Sequence, residues 1–453
     1  MNFQILDNMS SESNLNEKNV MIIGAGVAGM AAAQKLANHG INVHLIEKND
    51  HLGGHASSWA CMATDTCQHC SGCLSYEMAD KLSGYTNPTI YLNSKVLKIE
   101  KILKKYKVRL TGGIDQDLEA DKIIIATGFT PAVPEGLLGQ SYGNNQRIIT
   151  TVELNQIFKS NILCKYLPDI NSPKIGFIQC VGSRNREMGK DYCSQVCCKI
   201  SLRHIEKLIH LYPEAKISLF YIDLQIMGKE IRSKFDALSK NVDLIQGAPF
   251  EIFSDENKKL SIIRENEKTG IRMKDHFDMM VLSVGIKASG STVGLVDKMD
   301  IPVNKWGFID KRDMEAQKDI YVAGCVSGPV DILTAKQQGI SCAADIIQSF
   351  NSKQESLNQS NQSNQSNQSN HAIAIVGDGN HAWKTALAVS HKGYKVWMFG
   401  LDKKKENRTS GIHYIPGAQL ISIKGAVEAF TIVYKDFEKI RQKNVAAVII
   451  AEP

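Results

Sequence analysis

Short apolar runs, each ending in a small-residue turn, recur along this chain and set its architecture. In "NVMIIGAGVAGMAAAQKLANHGINVHLIEK" (Asn19 to Lys48), VMII reads as a strand buried on both faces. The glycines read as a turn, the alanine, methionine and leucine spacing as an amphipathic helix, and NVHLIE as a second strand ending on an acid. "DKIIIATG" (Asp121 to Gly128) is another buried strand feeding a turn. The middle of the chain repeats the plan with "KIGFIQC", a loop, "KISLRHIEKLIHLYP" and "AKISLFYIDL". "MMVLSVG" (Met279 to Gly285) and "DIYVAGCVSGPVDILTAKQQGISCAADIIQSF" add two more strands and a closing helix. Unbroken apolar strands alternating with helices predict an α/β chain with parallel sheets.

Asn-Gln-Ser then repeats four times from Asn358 to Ser369. So polar a run buries too little apolar surface to fold and is expected to be a tether. Beyond it, "AIVGDGNHAWKTALAVSHKGYKVWMFG" repeats the strand–glycine–helix–strand plan of the beginning. The interval from Gly377 to Gly400 equals that from Gly24 to Glu47, so the second copy has glycine in place of the acid. Its last strand, "NVAAVIIAEP", ends without a turn glycine. The tail reads as a partial, degenerate nucleotide-binding fold, or as a packing module without a ligand.

Gly24-Ala25-Gly26-Val27-Ala28-Gly29 is a GxGxxG turn between strand and helix, and Glu47 falls where a ribose-binding acid belongs. Such a turn carries a pyrophosphate on the helix N-terminus. Three further features favour FAD over NAD: Gly53-Gly54 in "HLGG" after the acid, Ala126-Thr127-Gly128 about a hundred residues on, and Gly324-Cys325 in "YVAGCVSGP". Lys48 and Val96 complete the expected flavin-binding set. One departure stands out: many enzymes of this type carry aspartate at the position of Cys325. The fold expected is a two-dinucleotide-binding-domain flavoprotein, thioredoxin/glutathione reductase-like, with a partial Rossmann-like C-terminal domain. Its spans are a tail over 1–19, an FAD-binding domain over 20–173 and 275–350, an inserted NAD-binding-like domain over 174–274, a linker over 351–370 and the degenerate domain over 371–453.

The net charge of +6 is dispersed, and no basic stripe interleaved with aromatics points to nucleic acid. No run of about 18 apolar residues predicts a spanning helix, and the beginning lacks the pattern of a signal peptide, so a cytoplasmic location is expected, with membrane association only through partners. The eleven cysteines change the picture more. Four stand at Cys61, Cys67, Cys70 and Cys73, and four at Cys180, Cys193, Cys197 and Cys198. In a reducing compartment, such clusters favour metal or redox chemistry over structural disulfides.

"CVGSRNREMGKDYCSQVCC" (Cys180 to Cys198) occupies the place where a nicotinamide-binding domain would carry a second glycine motif. Four thiolates from a strand end, a loop and a helix start suit a metal or an iron–sulfur cluster. Zinc, a redox disulfide and structural thiols are the alternatives, although the spacing is not that of paired CxxC zinc knuckles.

At "IQCVGSR…YCSQVCC" the sequence resembles the flavin-binding A-type subunit of heterodisulfide reductase, including its sulfur-oxidising and quinone-interacting relatives. "YIDLQIMGKE", "VLSVGI" and "VAGCVSGPVDI" extend the resemblance, over about residues 20–350. It implies a [4Fe-4S] cluster on Cys180, Cys193, Cys197 and Cys198, close to the FAD. It also implies partner subunits of a heterodisulfide reductase-like complex, with a homodimer as the expected self-association. The chain lacks any CxxCxxCxxxCP ferredoxin pattern, and Arg203 stands where electron-bifurcating members carry lysine. The shorter, non-bifurcating relatives are therefore the nearer comparison.

In "CMATDTCQHCSGC", Cys67 and Cys70 best match a "TDC..C" segment of that family. Cys61, Cys67, Cys70 and Cys73 read as ligands of a second cluster, with a CxxC dithiol relay, zinc or bystander thiols as alternatives. His69 lies within the run and reads as an incidental loop residue. The function expected is electron transfer between flavin and partner iron–sulfur subunits, against a stand-alone NAD(P)H-dependent disulfide reductase or a non-catalytic assembly subunit.

Overall fold

The computed structural model describes residues 14–451 apart from 135–140, 168–169, 227, 248, 250, 255–259, 266–268, 315–316, 360–371, 378, 401–410, 427–428 and 437–438. Most of the expected N-terminal tail, and the Asn-Gln-Ser repeats beyond Gln359, lie outside the described residues. The chain divides into two compact units, Met1–Ser356 and Leu357–Pro453.

In the first unit, strand Asn19–Ile23 lies at the centre of a five-stranded parallel sheet. The sheet's order is Ile320–Val322, Lys122–Ile125, Asn19–Ile23, Asn42–Ile46, Thr89–Tyr91. Successive side chains of a strand point to opposite faces, and both faces here are covered. Val20 and Ile22 enter a core with Met30 and Leu36 of helix Val27–Ala37 and Ile346 and Phe350 of helix Ile332–Gln359. Met21 and Ile23 enter another, with Ile99, Val108 and Leu110 of an antiparallel meander over Ser94–Ile102, Lys105–Gly112 and Asp117–Ala120.

A second parallel sheet has the order Val242–Gln246, Lys216–Tyr221, Lys174–Val181, Met279–Val284, Ile148–Thr150. It reaches beyond the 174–274 span expected for the inserted domain, because Met280 pairs with Ile148 and Ile175 with Met279. Helix Cys197–Leu211 covers one face through Ile205 and Leu208. The closing helix Ile332–Gln359 runs past residue 351, where the linker was expected to start. Its sequence there, NSKQESLNQ, contains neither glycine nor proline to stop it.

The second unit copies half of the first. Its parallel strands follow the order Ile412–Pro416, Lys395–Gly400, Ala372–Val376, Ala447–Ile450. A three-stranded antiparallel meander, Gln419–Ala426, Ala429–Asp436 and Lys439–Val445, is inserted where the first unit has its own. The turns match in detail: Gly377 N–H donates to Phe399 O at 2.9 Å, as Gly24 N–H does to Ile46 O at 2.8 Å. Gly377, at φ +131°, has no room for a Cβ against Ala451 O, just as Gly24 at φ +105° has none against Ala126 O. At the position of Glu47 stands Gly400, where a Cβ would collide with the Tyr414 phenol. The second copy has thus filled the place of the ribose acid with a neighbouring ring.

Candidate functional site

At the first glycine turn, a Cβ on Gly29 would meet Gly24 O, so only glycine lets the helix Val27–Ala37 cross the turn this closely. Gly26 differs, because nothing lies within 4 Å of where its Cβ would project. Gly128, at φ +72°, faces equally open space. Gly53 N–H donates to Ala25 O at 2.9 Å, and Gly54 lies against Gly26. Glu47 is buried, with Oε2 accepting from Ala25 N–H and Oε1 from Asn49 N–H, both at 2.9 Å. Each carboxylate oxygen keeps a lone pair for a ribose hydroxyl. These residues fit a dinucleotide, with open glycines at a helix N-terminus and an acid at the end of the second strand.

The rest of the expected flavin set is more dispersed. Ala28 is buried under Gly324 and Gly339, Lys48 is exposed, and the half-buried Val96 packs against the core from meander strand Ser94–Ile102. Thr127 Oγ1 is 2.7 Å from Thr292 Oγ1. Gly324 N–H donates to Gln338 Oε1 at 2.8 Å. Cys325 Sγ–H donates to Val330 O at 3.4 Å, and burial pushes its thiol up to about 11. It remains a neutral donor, unlike the aspartate found there in similar enzymes.

In the second sheet, Cys180 is the penultimate residue of strand Lys174–Val181 and sits at φ +62°, a conformation that only glycine adopts readily. Gly182 (φ +76°) and Arg184 (φ +56°) continue the left-handed turns. Arg184 N–H then donates to Tyr192 O at 2.9 Å, which folds the loop back onto Cys193. Cys193 Sγ accepts from Gln195 N–H at 3.3 Å, and Cys197 and Cys198, both buried, open helix Cys197–Leu211. The strand end, the loop and the helix start thus each carry cysteine.

The four thiols interact electrostatically. Burial raises the Cys180 thiol to about 11, the charges of Cys198 and Cys193 add to that rise, and Arg184 opposes it. The hydrogen bond between Cys197 and Cys198 raises the first and lowers the second, and the backbone at Gln225 and the Arg184 charge also favour the Cys198 thiolate. Arg184 is itself held by Asp223, with Nη2 donating to Oδ2 at 2.9 Å. Among the described residues, no three His, Cys, Asp or Glu side chains gather as a site for a single ion. Two residues beside Cys180 are left incomplete: the buried Gln179 amide has neither its N–H nor its oxygen partnered, and the buried Ser183 hydroxyl has no partner either. Four thiols with mutual electrostatic influence, a cation beside them and unpartnered buried polar atoms near Cys180 in the sequence suit a sulfur-ligated group.

The first cysteine group shows the same local geometry. Cys67 Sγ accepts from His69 N–H at 3.4 Å, with His69 at φ +47°, as Cys193 does from Gln195 at φ +59°. The loop is fastened along helix Cys197–Leu211 by Arg203 Nη2 donating to His69 O at 3.3 Å and by Lys207 donating to Ala63 O. Lys234 adds a bond to the buried Gln68 side chain. The side chains of Cys61, Cys67 and Cys73 are exposed, and Cys70 is half-buried. Cys61 lines a cleft of about 480 Å³ with Trp59, Tyr76, Lys159 and Lys207. No local pattern signals that this loop and the second cysteine group share a helix. Arg184, Asp223 and the pair Lys199–Asp331 also went unpredicted, because their partners lie far apart in the chain.

Residues 18–162 match the family model described as pyridine nucleotide-disulphide oxidoreductase. Among curated proteins, the chain is 24% identical over 438 residues to the A-type subunit of the ferredoxin/F(420)H(2)-dependent CoB-CoM heterodisulfide reductase of Methanosarcina acetivorans, covering 76% of this chain and 55% of that protein. It is also 24% identical over 416 residues to an iron-sulfur A-type subunit of the CoB–CoM heterodisulfide reductase of Methanopyrus kandleri, covering 72% and 63%. The chain thus spans little more than half the length of the first of these relatives. Among solved structures, thioredoxin reductase of T. acidophilum aligns with a TM-score of 0.51 at 19% identity, covering 74% of this chain and 99% of that one. The Lactococcus lactis thioredoxin reductase gives 0.50 at 21% identity with the same coverage. The fold is thus the thioredoxin reductase-like two-dinucleotide-binding-domain fold, and the resemblance to the A-type subunits of heterodisulfide reductase holds across the larger part of the chain.

Proposed function

We propose that this chain is an FAD- and [4Fe-4S]-containing oxidoreductase subunit that passes electrons between flavin and the iron–sulfur subunits of a heterodisulfide reductase-like complex. One observation carries the reading. Cys180, Cys193, Cys197 and Cys198 take the strand end, loop and helix start that a nicotinamide domain gives to its glycine motif. When bound, FAD exchanges electrons in pairs or singly and an iron–sulfur cluster exchanges them singly, and that redox chemistry belongs to the cofactors.

The residues of the chain supply place and field. Gly26 and Gly128 leave room for the dinucleotide, and Glu47 holds the turn while offering lone pairs to a ribose. Arg184 places a positive charge beside Cys180 and Cys198, favouring their thiolate forms as ligands. Lys199, next to Cys198, pairs with Asp331 of the segment that closes the flavin side, linking the helix of the cysteine group to that segment. The loop of Cys61, Cys67, Cys70 and Cys73, strapped to the same helix, is suited to hold a second group on the way to a partner protein. The step on a disulfide or other sulfur compound belongs to that partner.

Anaerobic purification tests this reading. Flavin together with about four or eight irons per chain supports it. Flavin without iron, with NAD(P)H oxidation, would identify a stand-alone reductase instead, and the absence of both cofactors would identify a non-catalytic role in assembly.

A further inference from the structure

Buried polar groups are nearly always hydrogen-bonded, and one left alone is destabilising. Gln179 is 4% exposed and Ser183 2%, yet the Gln179 Nε2 and Oε1 and the Ser183 Oγ have no partner within the protein. Gln179 directly precedes Cys180 in the chain, and Ser183 follows it by three residues. Ser183 N–H donates to Cys180 O at 3.2 Å, so the segment from Cys180 to Ser183 closes as a tight turn. The back of the turn is walled by Gly285, where a Cβ would stand 3.2 Å from the Ser183 hydroxyl and collide with the Ser194 hydroxyl. Ser194 is already satisfied, its Oγ accepting from Ile286 N–H at 2.9 Å. Nearby Ser201 and Ser283 satisfy each other at 2.7 Å. Ser194, Ser201 and Ser283 are thus bonded, whereas Gln179 and Ser183, on the segment that carries Cys180, are not.

We propose that the Gln179 amide and the Ser183 hydroxyl donate hydrogen bonds to sulfur of the group held by Cys180, Cys193, Cys197 and Cys198, and so raise its reduction potential. This rests on the iron–sulfur reading above. A donor aimed at sulfur stabilises the more negatively charged, reduced form, which makes reduction easier. Gln179 and Ser183 are thus tuning residues: they hold no metal, and they set how readily electrons arrive from the flavin side. Their incomplete bonding follows from the chemistry of the occupant, since sulfur accepts where no oxygen or nitrogen of the chain does.

The test is an EPR-monitored redox titration of the full-length, cofactor-loaded chain as wild type, Gln179→Leu and Ser183→Ala. Each variant is expected to retain iron and flavin while its ratio of reduced to oxidised cluster at fixed potential falls by roughly tenfold, equivalent to 59 mV for one electron. Ser183→Ala removes a single atom and keeps the test open if the change at Gln179 prevents folding. Potentials that stay at the wild-type value in iron-retaining variants overturn the proposal and mean that trapped water satisfies these groups. A wild-type chain without iron would instead overturn the iron–sulfur reading itself, so the two failures are distinguishable.

Discussion

Lys199 Nζ and Asp331 Oδ2 lie 3.3 Å apart and join the helix that begins at Cys197 to the residue preceding helix Ile332–Gln359. The two carry unequal loads. Lys199 makes a half-exposed ion pair, a kind of contact worth at most about 1 kcal/mol. Asp331 does more, because its Oδ1 also accepts from Thr334 N–H at 2.9 Å and so caps the helix. Loss of such a cap costs about 1 kcal/mol on its own. Asp331→Ala should therefore lower the melting temperature more than Lys199→Met does. Thermal unfolding of the two variants side by side checks this, and equal shifts would contradict it.

The glycine turn separates packing from binding. Gly29→Ala drives a Cβ into Gly24 O and should prevent the first sheet and its helix from closing. Gly26→Ala adds a Cβ to open space, so the protein should fold with an unchanged circular dichroism spectrum. That Cβ enters the approach to the pyrophosphate, however, and bound flavin should fall several-fold. Flavin absorbance per chain after gel filtration measures the difference.

His204 should make stability fall in mild acid. Burial, aided by the charge of Arg203, lowers its pKa to about 3 from the ordinary histidine value of 6.5. Between those values the unfolded chain binds a proton at this position and the folded chain does not, so stability drops as pH falls from 6.5 toward 3. In the folded chain, Nε2 is 3.0 Å from Asn155 Nδ2, and Asn155 Oδ1 accepts from Ala60 N–H at 2.9 Å. His204→Gln, which does not titrate, should flatten the dependence of melting temperature on pH within this window. A slope equal to that of the wild type would contradict the assignment.

In the second unit, Gly400→Glu would restore the acid of the first copy, but its side chain would run into the Tyr414 phenol. The single substitution should destabilise this unit, and the double change with Tyr414→Ala should recover part of the loss. Limited proteolysis of full-length protein reports both effects.

The sequence displays the parts of the fold that short-range periodicity encodes. The run VMII, the glycines and the interval to Glu47 are local signals, and the structure places a strand, a turn and a buried acid there. The meander over 94–120 is hidden, because a register shift between Val96 and Lys98 breaks the two-residue alternation of "SKVLKIEKI", leaving Val96-Leu97 and Glu100-Lys101 as adjacent like pairs. The copy of that meander in the second unit is hidden for the same reason, so the duplication is more complete than the glycine spacing alone suggests. The cysteine group at 180–198 is legible because its members lie close in sequence. Its surroundings are not: Arg184 to Asp223, Lys199 to Asp331 and Arg203 to His69 are pairings that only the folded chain brings together. The second sheet's use of Ile148–Thr150 and Met279–Val284 is equally invisible to local pattern.

The reading of the whole chain turns on whether Cys180, Cys193, Cys197 and Cys198 together hold an iron–sulfur group in the place of a nicotinamide. Iron and EPR signal per flavin, measured on anaerobically purified wild type, Cys197→Ala and Cys164→Ala, test it most directly. Cys164 is exposed and belongs to neither cysteine group, so its substitution should leave the iron content at the wild-type value. Cys197→Ala should lose the iron and the EPR signal of one cluster while retaining flavin. Iron content unchanged by Cys197→Ala would contradict the account.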